Sequence, residues 1–244
     1  MKDLLVIARE DERDNSLATD ADRMGYEVLR PALLETERGK DLDRFLAWIG
    51  KAPPRGAAVA WTSRRAARAL VRALEPAGAR DLLARVPLFA VGAESAAPIQ
   101  ELGLAVAFVA EEPSARALAG LIADQREARG IERVAFLHGN RALPDLPDAL
   151  RASGIAVDAF EIYRTQYLSP DLGALETALA AGRDIWIFYY SPSGIDALER
   201  GLRSESLHPL RRRARAVALG ATTRAALQER GYARLEAGMR GLKA

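Results

Sequence analysis

Short apolar runs alternate with amphipathic segments along most of the chain. The first run, Leu4 to Ala8, has the continuous apolar character of a buried strand, and the helical pattern that follows it stops at Gly25. Further strands are predicted at Val28 to Leu34, Ala57 to Trp61, Leu88 to Val91, Ala105 to Val109, Val134 to Leu137, Ile155 to Tyr163, Ile185 to Tyr189 and Ala216 to Leu219. Helices are predicted at Leu17 to Met24, Leu42 to Ile49, Arg64 to Leu74, Ser95 to Leu102 and Ser114 to Ile122. Apolar strands that alternate with helices indicate an α/β fold with parallel sheets covered on both faces.

The chain also resembles itself at a shift of 128 to 129 residues. The matching segments are Ala58 to Ser63 with Trp186 to Ser191, Leu88 to Gly92 with Ala216 to Gly220, and Leu4 to Arg9 with Val134 to Gly139. An internal duplication of this kind predicts two similar half-proteins with a ligand cleft between them.

Composition narrows the class of protein. With 244 residues, of which 49% are hydrophobic, the chain can bury a substantial core in one or two domains. The net charge of +2 is a small difference between 35 basic and 33 acidic residues, so we expect no nucleic-acid partner. The absence of cysteine excludes disulfides and cysteine-based metal centres. Because Leu4 to Ala8 is too short for a signal peptide or a membrane span, we expect a cytoplasmic protein without membrane contact.

Small polar residues recur where a predicted strand ends and a helix begins. They are Thr62, Ser63, Ser95, Ser191, Ser193, Thr222 and Thr223, and they lie near Gly92, Gly139, Gly194 and Gly220. Ligands of open α/β sheets bind at this edge, and the free amides of helix starts favour anions. Each Ser or Thr taken alone is better explained by helix capping. Their recurrence in both copies predicts a ligand with several negative groups, and the lack of glycine-rich phosphate motifs makes a nucleotide a weak candidate.

Six short motifs in a fixed order resemble the uroporphyrinogen-III synthase family over nearly the whole chain. The motifs are Thr62-Ser63, Val91-Gly92 with Ser95, His138-Gly139-Asn140, Ile162-Tyr163-Arg164-Thr165, Tyr190-Ser191-Pro192-Ser193-Gly194 and Leu219-Gly220-Ala221-Thr222-Thr223. The resemblance implies an enzyme of haem synthesis, a cyclising hydro-lyase that converts linear hydroxymethylbilane to uroporphyrinogen III with loss of water and inversion of ring D. It implies neither a cofactor nor a metal ion. The acetate and propionate on every pyrrole of that substrate fit the anion-favouring helix starts.

The same resemblance implies a domain arrangement. Two flavodoxin-like parallel-sheet domains would be joined by a two-strand connection, with the first β/α segment exchanged. On that pattern, residues 1–32 and 168–244 form one domain and residues 37–163 form the other, while residues 33–36 and 164–167 connect them. A monomer is expected, with its substrate handed over by hydroxymethylbilane synthase.

Individual residues acquire roles from the resemblance. Tyr163 lies at the position of the family's functional tyrosine, whose phenol can hydrogen-bond or give a proton to the departing hydroxyl. Arg9 matches a family arginine and would pair with a carboxylate. The other substrate-binding candidates are Thr62, Ser63, Gly92, Ser95, His138, Gly139, Asn140, Ser191, Ser193, Gly194, Gly220, Thr222 and Thr223. From the residues alone, Tyr163 is also explained as a strand aromatic packed on a helix, and His138 as a structural histidine.

Two features depart from the family pattern. Glu94 places an acid beside Gly92, where it would repel a polycarboxylate unless it points away. Tyr189-Tyr190 replaces the family's usual Phe-Thr or similar pair before the serine, so that a hydroxyl contact there would be phenolic.

Two other classes of protein stay open as alternatives. A non-enzymatic sensor that binds tetrapyrroles or other anions would have the same fold and cleft, and turnover of hydroxymethylbilane is what separates it from the enzyme. A glycosyl- or nucleotidyl-type transferase with two α/β domains is the second alternative, but the chain is short for it and lacks phosphate-binding glycines and a metal-binding Asp pair.

Overall fold

The chain folds into two α/β units, each built around its own sheet. In the computed structural model, Met1–Glu35 and Gln166–Ala244 form unit 1, and Thr36–Thr165 form unit 2. The residues that the structure describes are 2–8, 16–50, 53–77, 80–112 and 114–239.

Strands and helices are numbered in chain order. The strands are β1 (Leu4–Ala8), β2 (Glu27–Leu29), β3 (Leu34–Arg38), β4 (Ala57–Trp61), β5 (Leu88–Ala90), β6 (Phe108–Val109), β7 (Arg133–Gly139), β8 (Ala156–Tyr167), β9 (Ile185–Tyr189), β10 (Arg215–Ala218) and β11 (Arg234–Glu236). The helices are α1 (Ser16–Arg23), α2 (Leu42–Gly50), α3 (Arg64–Ala77), α4 (Arg80–Leu83), α5 (Ala93–Glu101), α6 (Ala115–Asp124), α7 (Arg126–Arg129), α8 (Asp145–Ala152), α9 (Gly173–Ala180), α10 (Pro192–Gly201), α11 (Ser204–Arg213) and α12 (Ala221–Glu229).

Unit 1 contains a parallel sheet in the order β2-β1-β9-β10-β11. Numbered within the unit, this order is 2-1-3-4-5, which is the doubly wound order of flavodoxin. All side chains of β1 are buried because both faces of the sheet are covered. Leu4 and Val6 pack into one hydrophobic cluster, while Leu5 and Ile7 pack into another that includes Leu17 of α1.

Unit 2 repeats this arrangement with the strands in a permuted chain order. Its sheet runs β8-β7-β4-β5-β6 in parallel, and β3 lies beside β8. In this sheet, β7, β4 and β5 occupy the positions that β1, β9 and β10 occupy in unit 1. The sequence repeat pairs the same strands, β7 with β1, β4 with β9 and β5 with β10. The predicted α/β class with two parallel sheets is therefore confirmed.

Three predicted strands differ from the structure by more than two residues. The run from Val28 to Leu34, predicted as one strand, is divided between β2 and β3, which belong to different sheets. Pro31 lies between them, and its missing N–H cannot contribute to a ladder. The strand predicted at Ala105 to Val109 shortens to β6, whereas β8 continues four residues past its predicted end at Tyr163 and has β3 as a neighbour in the sheet.

Candidate active site

The carboxyl ends of the parallel strands in unit 2 surround a cavity of about 400 Å³. This is the edge of an open α/β sheet at which ligands bind. The loop after β4, the end of β7, the loop after β7 and the middle of β8 all contribute to its wall. The polar residues in the wall include Thr62, Ser63, Arg65, His138, Arg141 and Tyr163.

Ser63 is the N-cap of α3, for which the sequence offered Thr62 or Ser63. Its Oγ accepts a hydrogen bond from the backbone N–H of Ala66 at 3.1 Å, which satisfies one of the free amides of the first turn. The same Oγ lies 3.2 Å from the phenolic oxygen of Tyr163. The helix start after β4 and the tyrosine of β8 are therefore joined directly through one serine hydroxyl.

Tyr163 is placed by an irregularity in the pairing of β7 with β8. The register shifts between His138 and Gly139, so that His138 pairs with Glu161 and Gly139 pairs with Tyr163. The extra residue, Ile162, packs in the same hydrophobic cluster as Tyr163, which interrupts the usual alternation of faces. Only 9% of Tyr163 is exposed. The β-bulge thus turns the phenol toward Ser63 while the ring remains largely buried.

Gly139 provides the space for the Tyr163 ring. A Cβ atom at position 139 would lie 2.6 Å from Cε2 of Tyr163 and 2.8 Å from its phenolic oxygen, distances that real Cβ atoms do not show. Any residue other than glycine would therefore displace the ring. The glycine was predicted as a point of close approach to a ligand, but the group that approaches it is a side chain of the same unit.

His138 is half-buried and lines the cavity. Its ring stacks on Phe136 with the ring centroids 5.2 Å apart, and its Nδ1 lies 2.9 Å from the backbone oxygen of Gly139. Because a carbonyl oxygen only accepts, Nδ1 carries the proton in this hydrogen bond. In the neutral ring, Nε2 is then available to accept a hydrogen bond.

Asn140 has a structural role that the sequence did not predict. Its Oδ1 accepts the N–H of Thr165 at 2.9 Å, and its Nδ2 donates to the carbonyl oxygen of Thr165 at 3.3 Å. The side chain thereby imitates one more residue of β7 beside β8. Each end of the amide keeps one further donor or acceptor position, and the residue is exposed, so the role of Asn140 as a substrate ligand stays a prediction.

The helix start after β5 differs from the prediction. Gly92, with a φ of 75°, is the N-cap of α5, and Ser95 is the third helical residue rather than a cap. Ser95 is buried, and its backbone oxygen accepts a hydrogen bond from the Trp61 indole at 2.7 Å. Glu94 pairs with Arg64 at 3.0 Å on the exposed surface. The acid that departs from the family pattern is therefore next to a cation.

Unit 1 presents its own helix starts at the carboxyl ends of β9 and β10. Ser191 caps α10 by accepting the N–H of Gly194 at 3.3 Å, and its Oγ lies 3.0 Å from the Oγ of Ser193. A Cβ on Gly194 would lie 3.0 Å from the backbone oxygen of Ala8, so the glycine allows α10 to start close to the end of β1. Tyr190 is partly buried and packs on the cluster that contains β1.

The α12 start has no side-chain cap. Its N-cap is Gly220, in an extended conformation, and the next residues leave the amides of the first turn open to other acceptors. Thr222 is exposed, whereas Thr223 is 3% exposed. Thr223 is thus buried in this structure, and its contact with a ligand stays a prediction. Arg9 lies outside the described residues.

Two cations in the cavity wall were missed in the sequence. Arg65 is in the first turn of α3, and Arg141 directly follows the His138-Gly139-Asn140 motif. Both lie within two residues of a predicted motif, and this proximity was the feature of the sequence that could have identified them as site residues. It was weak because the chain has 35 basic residues, and nothing in the sequence distinguishes these two from the others.

Two kinds of feature are absent from the described residues. They contain no group of three or more His, Asp or Glu side chains placed to hold a metal ion. None of their helices has both the length and the apolar character needed to cross a membrane.

Comparison with known proteins decides the family. The family model described as uroporphyrinogen-III synthase HemD matches residues 15–238. The chain belongs to this family. Membership in the uroporphyrinogen-III synthase family implies an enzyme of haem biosynthesis and supports it over the sensor alternative.

Solved structures show the same fold. A mutant uroporphyrinogen III synthase from Thermus thermophilus is 21% identical, with a TM-score of 0.65 over 98% of this chain and 94% of that one. The uroporphyrinogen-III synthetase of Helicobacter pylori 26695 is 18% identical, with a TM-score of 0.61 over 99% of this chain and 96% of that one. No curated protein matches the sequence at a significant level. The fold and the family thus agree across nearly the full length of the chain.

Proposed function

We propose that this protein converts hydroxymethylbilane to uroporphyrinogen III. The family match over residues 15–238 supports the reaction. The observation in the structure that carries the proposal is the phenol of Tyr163, which lines the cavity of unit 2 next to Ser63. Arg65 and Arg141 lie in the same wall. A proton donor that shares a cavity wall with two arginines, and with one acid, Asp145, suits a substrate that must lose hydroxide and that carries carboxylates.

The reaction starts with loss of hydroxide from the hydroxymethyl carbon of the substrate. We assign to Tyr163 the hydrogen bond or proton that this hydroxide needs to depart. The azafulvene that forms attacks the substituted carbon of ring D, and the spiro intermediate rearranges with that ring inverted. Since the substrate loses only water, the reaction consumes no oxidant or reductant. We therefore propose a hydro-lyase that works without a cofactor.

The substrate carboxylates are the second element of the proposal. Arg65 and Arg141 provide charge-assisted contacts in unit 2, and the amides at the start of α3 add partial positive charge. In unit 1, the hydroxyls of Ser191 and Ser193 and the uncapped start of α12 offer further anion contacts. We retain Thr62, Ser193, Thr222 and Thr223 as substrate-binding candidates.

The cellular setting follows from the biosynthetic role. We propose that units 1 and 2 are the two domains of a monomeric cytoplasmic enzyme, which receives its bilane from hydroxymethylbilane synthase. Sedimentation equilibrium of the purified protein gives a mass near 26.4 kDa if the monomer is correct and twice that mass if it is a dimer.

The function is tested by adding the protein to freshly prepared hydroxymethylbilane and following closure of the ring. We expect consumption of the bilane to accelerate in proportion to protein concentration and to be unchanged by EDTA. Heat-inactivated protein is the control for spontaneous closure. A folded protein that binds tetrapyrroles without accelerating closure would contradict the proposal and favour the sensor.

A further inference from the structure

The hydroxyl of Ser63 is shared between a helix and a phenol. A serine hydroxyl has one proton and two lone pairs, and one lone pair of Ser63 accepts the N–H of Ala66 at 3.1 Å. The contact of 3.2 Å with Tyr163 must use either the remaining lone pair or the proton. In the first case the phenol donates, and its proton is occupied. In the second case Ser63 donates, and the phenolic proton is free.

The helix start favours the second case. A hydroxyl that accepts from a backbone N–H is polarised by that bond and becomes a better donor, because hydrogen bonds in a chain strengthen one another. The amides of the first turn of α3 add partial positive charge at the serine oxygen. Both effects direct the serine proton toward the phenolic oxygen, so that the chain of hydrogen bonds runs from Ala66 N–H through Ser63 to Tyr163.

We propose that Ser63 and Gly139 are positioning residues for the Tyr163 phenol, with Ser63 donating its proton to the phenolic oxygen. The inference rests on the proposed function. When Ser63 donates, the phenolic proton of Tyr163 is free for the hydroxyl that the substrate loses. It also changes the role of Ser63, which the sequence assigned to binding a substrate carboxylate. A serine whose proton is held by Tyr163 has no proton to donate to a carboxylate.

Gly139 fixes the other side of the ring. The bulge between β7 and β8 brings Tyr163 over the position where a Cβ of residue 139 would lie, 2.6 Å from Cε2. Backbone on one side and the serine hydroxyl on the other leave the ring a narrow range of orientations. The phenol is therefore held in place before the substrate arrives, which lowers the cost of aligning it for proton donation.

A double-mutant cycle between Ser63→Ala and Tyr163→Phe tests the proposal. If Ser63 acts through the phenol, Ser63→Ala lowers kcat by about 2- to 13-fold, the worth of one neutral hydrogen bond, and leaves KM nearly unchanged. In the Tyr163→Phe background the same change alters kcat by less than about 2-fold, because there is no hydroxyl left to position. Ser63→Thr, which keeps a hydroxyl and a cap, restores most of kcat.

Ser114→Ala is the matched control for loss of a helix cap. Ser114 caps α6 of the same unit with the same geometry, accepting the N–H of Ala117 at 3.1 Å, and is not among the residues assigned to the site. Its substitution should lower the melting temperature by a similar amount while kcat stays unchanged. A fall in kcat for Ser114→Ala as large as that for Ser63→Ala would show that loss of a cap explains the effect, and would overturn the proposal.

Gly139→Ala gives an independent test. It should displace the Tyr163 ring and reduce kcat at least as much as Ser63→Ala, whereas Gly120→Ala, which places its Cβ in open space on α6, should have no effect. Unchanged kcat in Gly139→Ala contradicts the packing role.

The outcomes separate this inference from the proposed function. If the wild type forms the type III isomer but the effects of Ser63→Ala and Tyr163→Phe on kcat are additive, the inference is overturned and the function stands. The same holds if Ser63→Ala raises KM. Failure of the wild type to form the type III isomer overturns both.

Discussion

The side-chain amide of Asn140 extends the hydrogen-bond ladder between β7 and β8 at its end. Replacing Asn140 by alanine measures how much these bonds contribute to the free energy of unfolding. Asn140→Ala removes two hydrogen bonds, at 2.9 and 3.3 Å, to the backbone of Thr165. At about 0.5–1.5 kcal/mol for each neutral bond, the free energy of unfolding should fall by about 1–3 kcal/mol. The loss is expected toward the upper end, because Thr165 is 4% exposed and its backbone has limited access to water.

Thermal unfolding provides the assay. For a chain of this size, each kcal/mol lowers the melting temperature by about 2–4 °C, so Asn140→Ala should melt about 2–12 °C below wild type. Amide hydrogen exchange localises the effect, since the Thr165 N–H should exchange faster while the core of β4 is unchanged. Asn140→Asp keeps the acceptor for the Thr165 N–H but places a carboxylate oxygen against the Thr165 carbonyl oxygen, so it should not restore the stability of the wild type.

Kinetics then separate the structural role from a substrate contact. If Asn140 only supports the ladder, KM for hydroxymethylbilane stays close to wild type at temperatures where the variant is folded. A variant that melts with wild type but shows a raised KM would refute the structural assignment and return Asn140 to the substrate-binding residues.

Three other substitutions test separate parts of the account. Tyr163→Phe should lower kcat by about 10- to 1000-fold, more than it affects product binding, and unchanged turnover would limit Tyr163 to packing. Thr223→Asp should destabilise the protein by about 1–3 kcal/mol because position 223 is buried, whereas the exposed Thr222→Asp should not; equal melting temperatures would contradict this placement. Burial raises the pKa of both Tyr189 and Tyr232 above the ordinary 10.0, so the unfolded state loses these protons first and stability should fall as pH rises above about 10. Tyr232→Phe should weaken this loss of stability at high pH. An unchanged pH dependence of unfolding in the variant would contradict the assignment of that loss to the buried Tyr232 phenol.

The positions of most strands along the chain were predictable because they depend on features that repeat along the sequence. Continuous apolar runs separated by helical patterns identified β1, β4, β5, β7, β9 and β10, and the repeat related the strands of one unit to those of the other. Ser63, Ser114 and Ser191 were recognisable as caps because capping depends on a few neighbouring residues.

What could not be predicted depends on contacts between distant segments. The bulge that pairs Gly139 with Tyr163 arises from the register of two strands, and neither strand encodes it alone. The bonds of Asn140 to Thr165 span 25 residues in the chain. Thr222 and Thr223 are adjacent and chemically identical, and only the orientation of α12 against its sheet makes one exposed and the other buried.

The most direct test of the central claim is the isomer composition of the product. Hydroxymethylbilane closes spontaneously to the uninverted type I isomer, so inversion of ring D is the distinguishing result of the proposed reaction. The bilane is incubated with enough wild-type protein to outrun spontaneous closure, and the product is oxidised to porphyrin and separated by chromatography. The account predicts that the type III isomer dominates without added metal or nucleotide. Type I isomer alone, formed in the presence of folded protein, would contradict it.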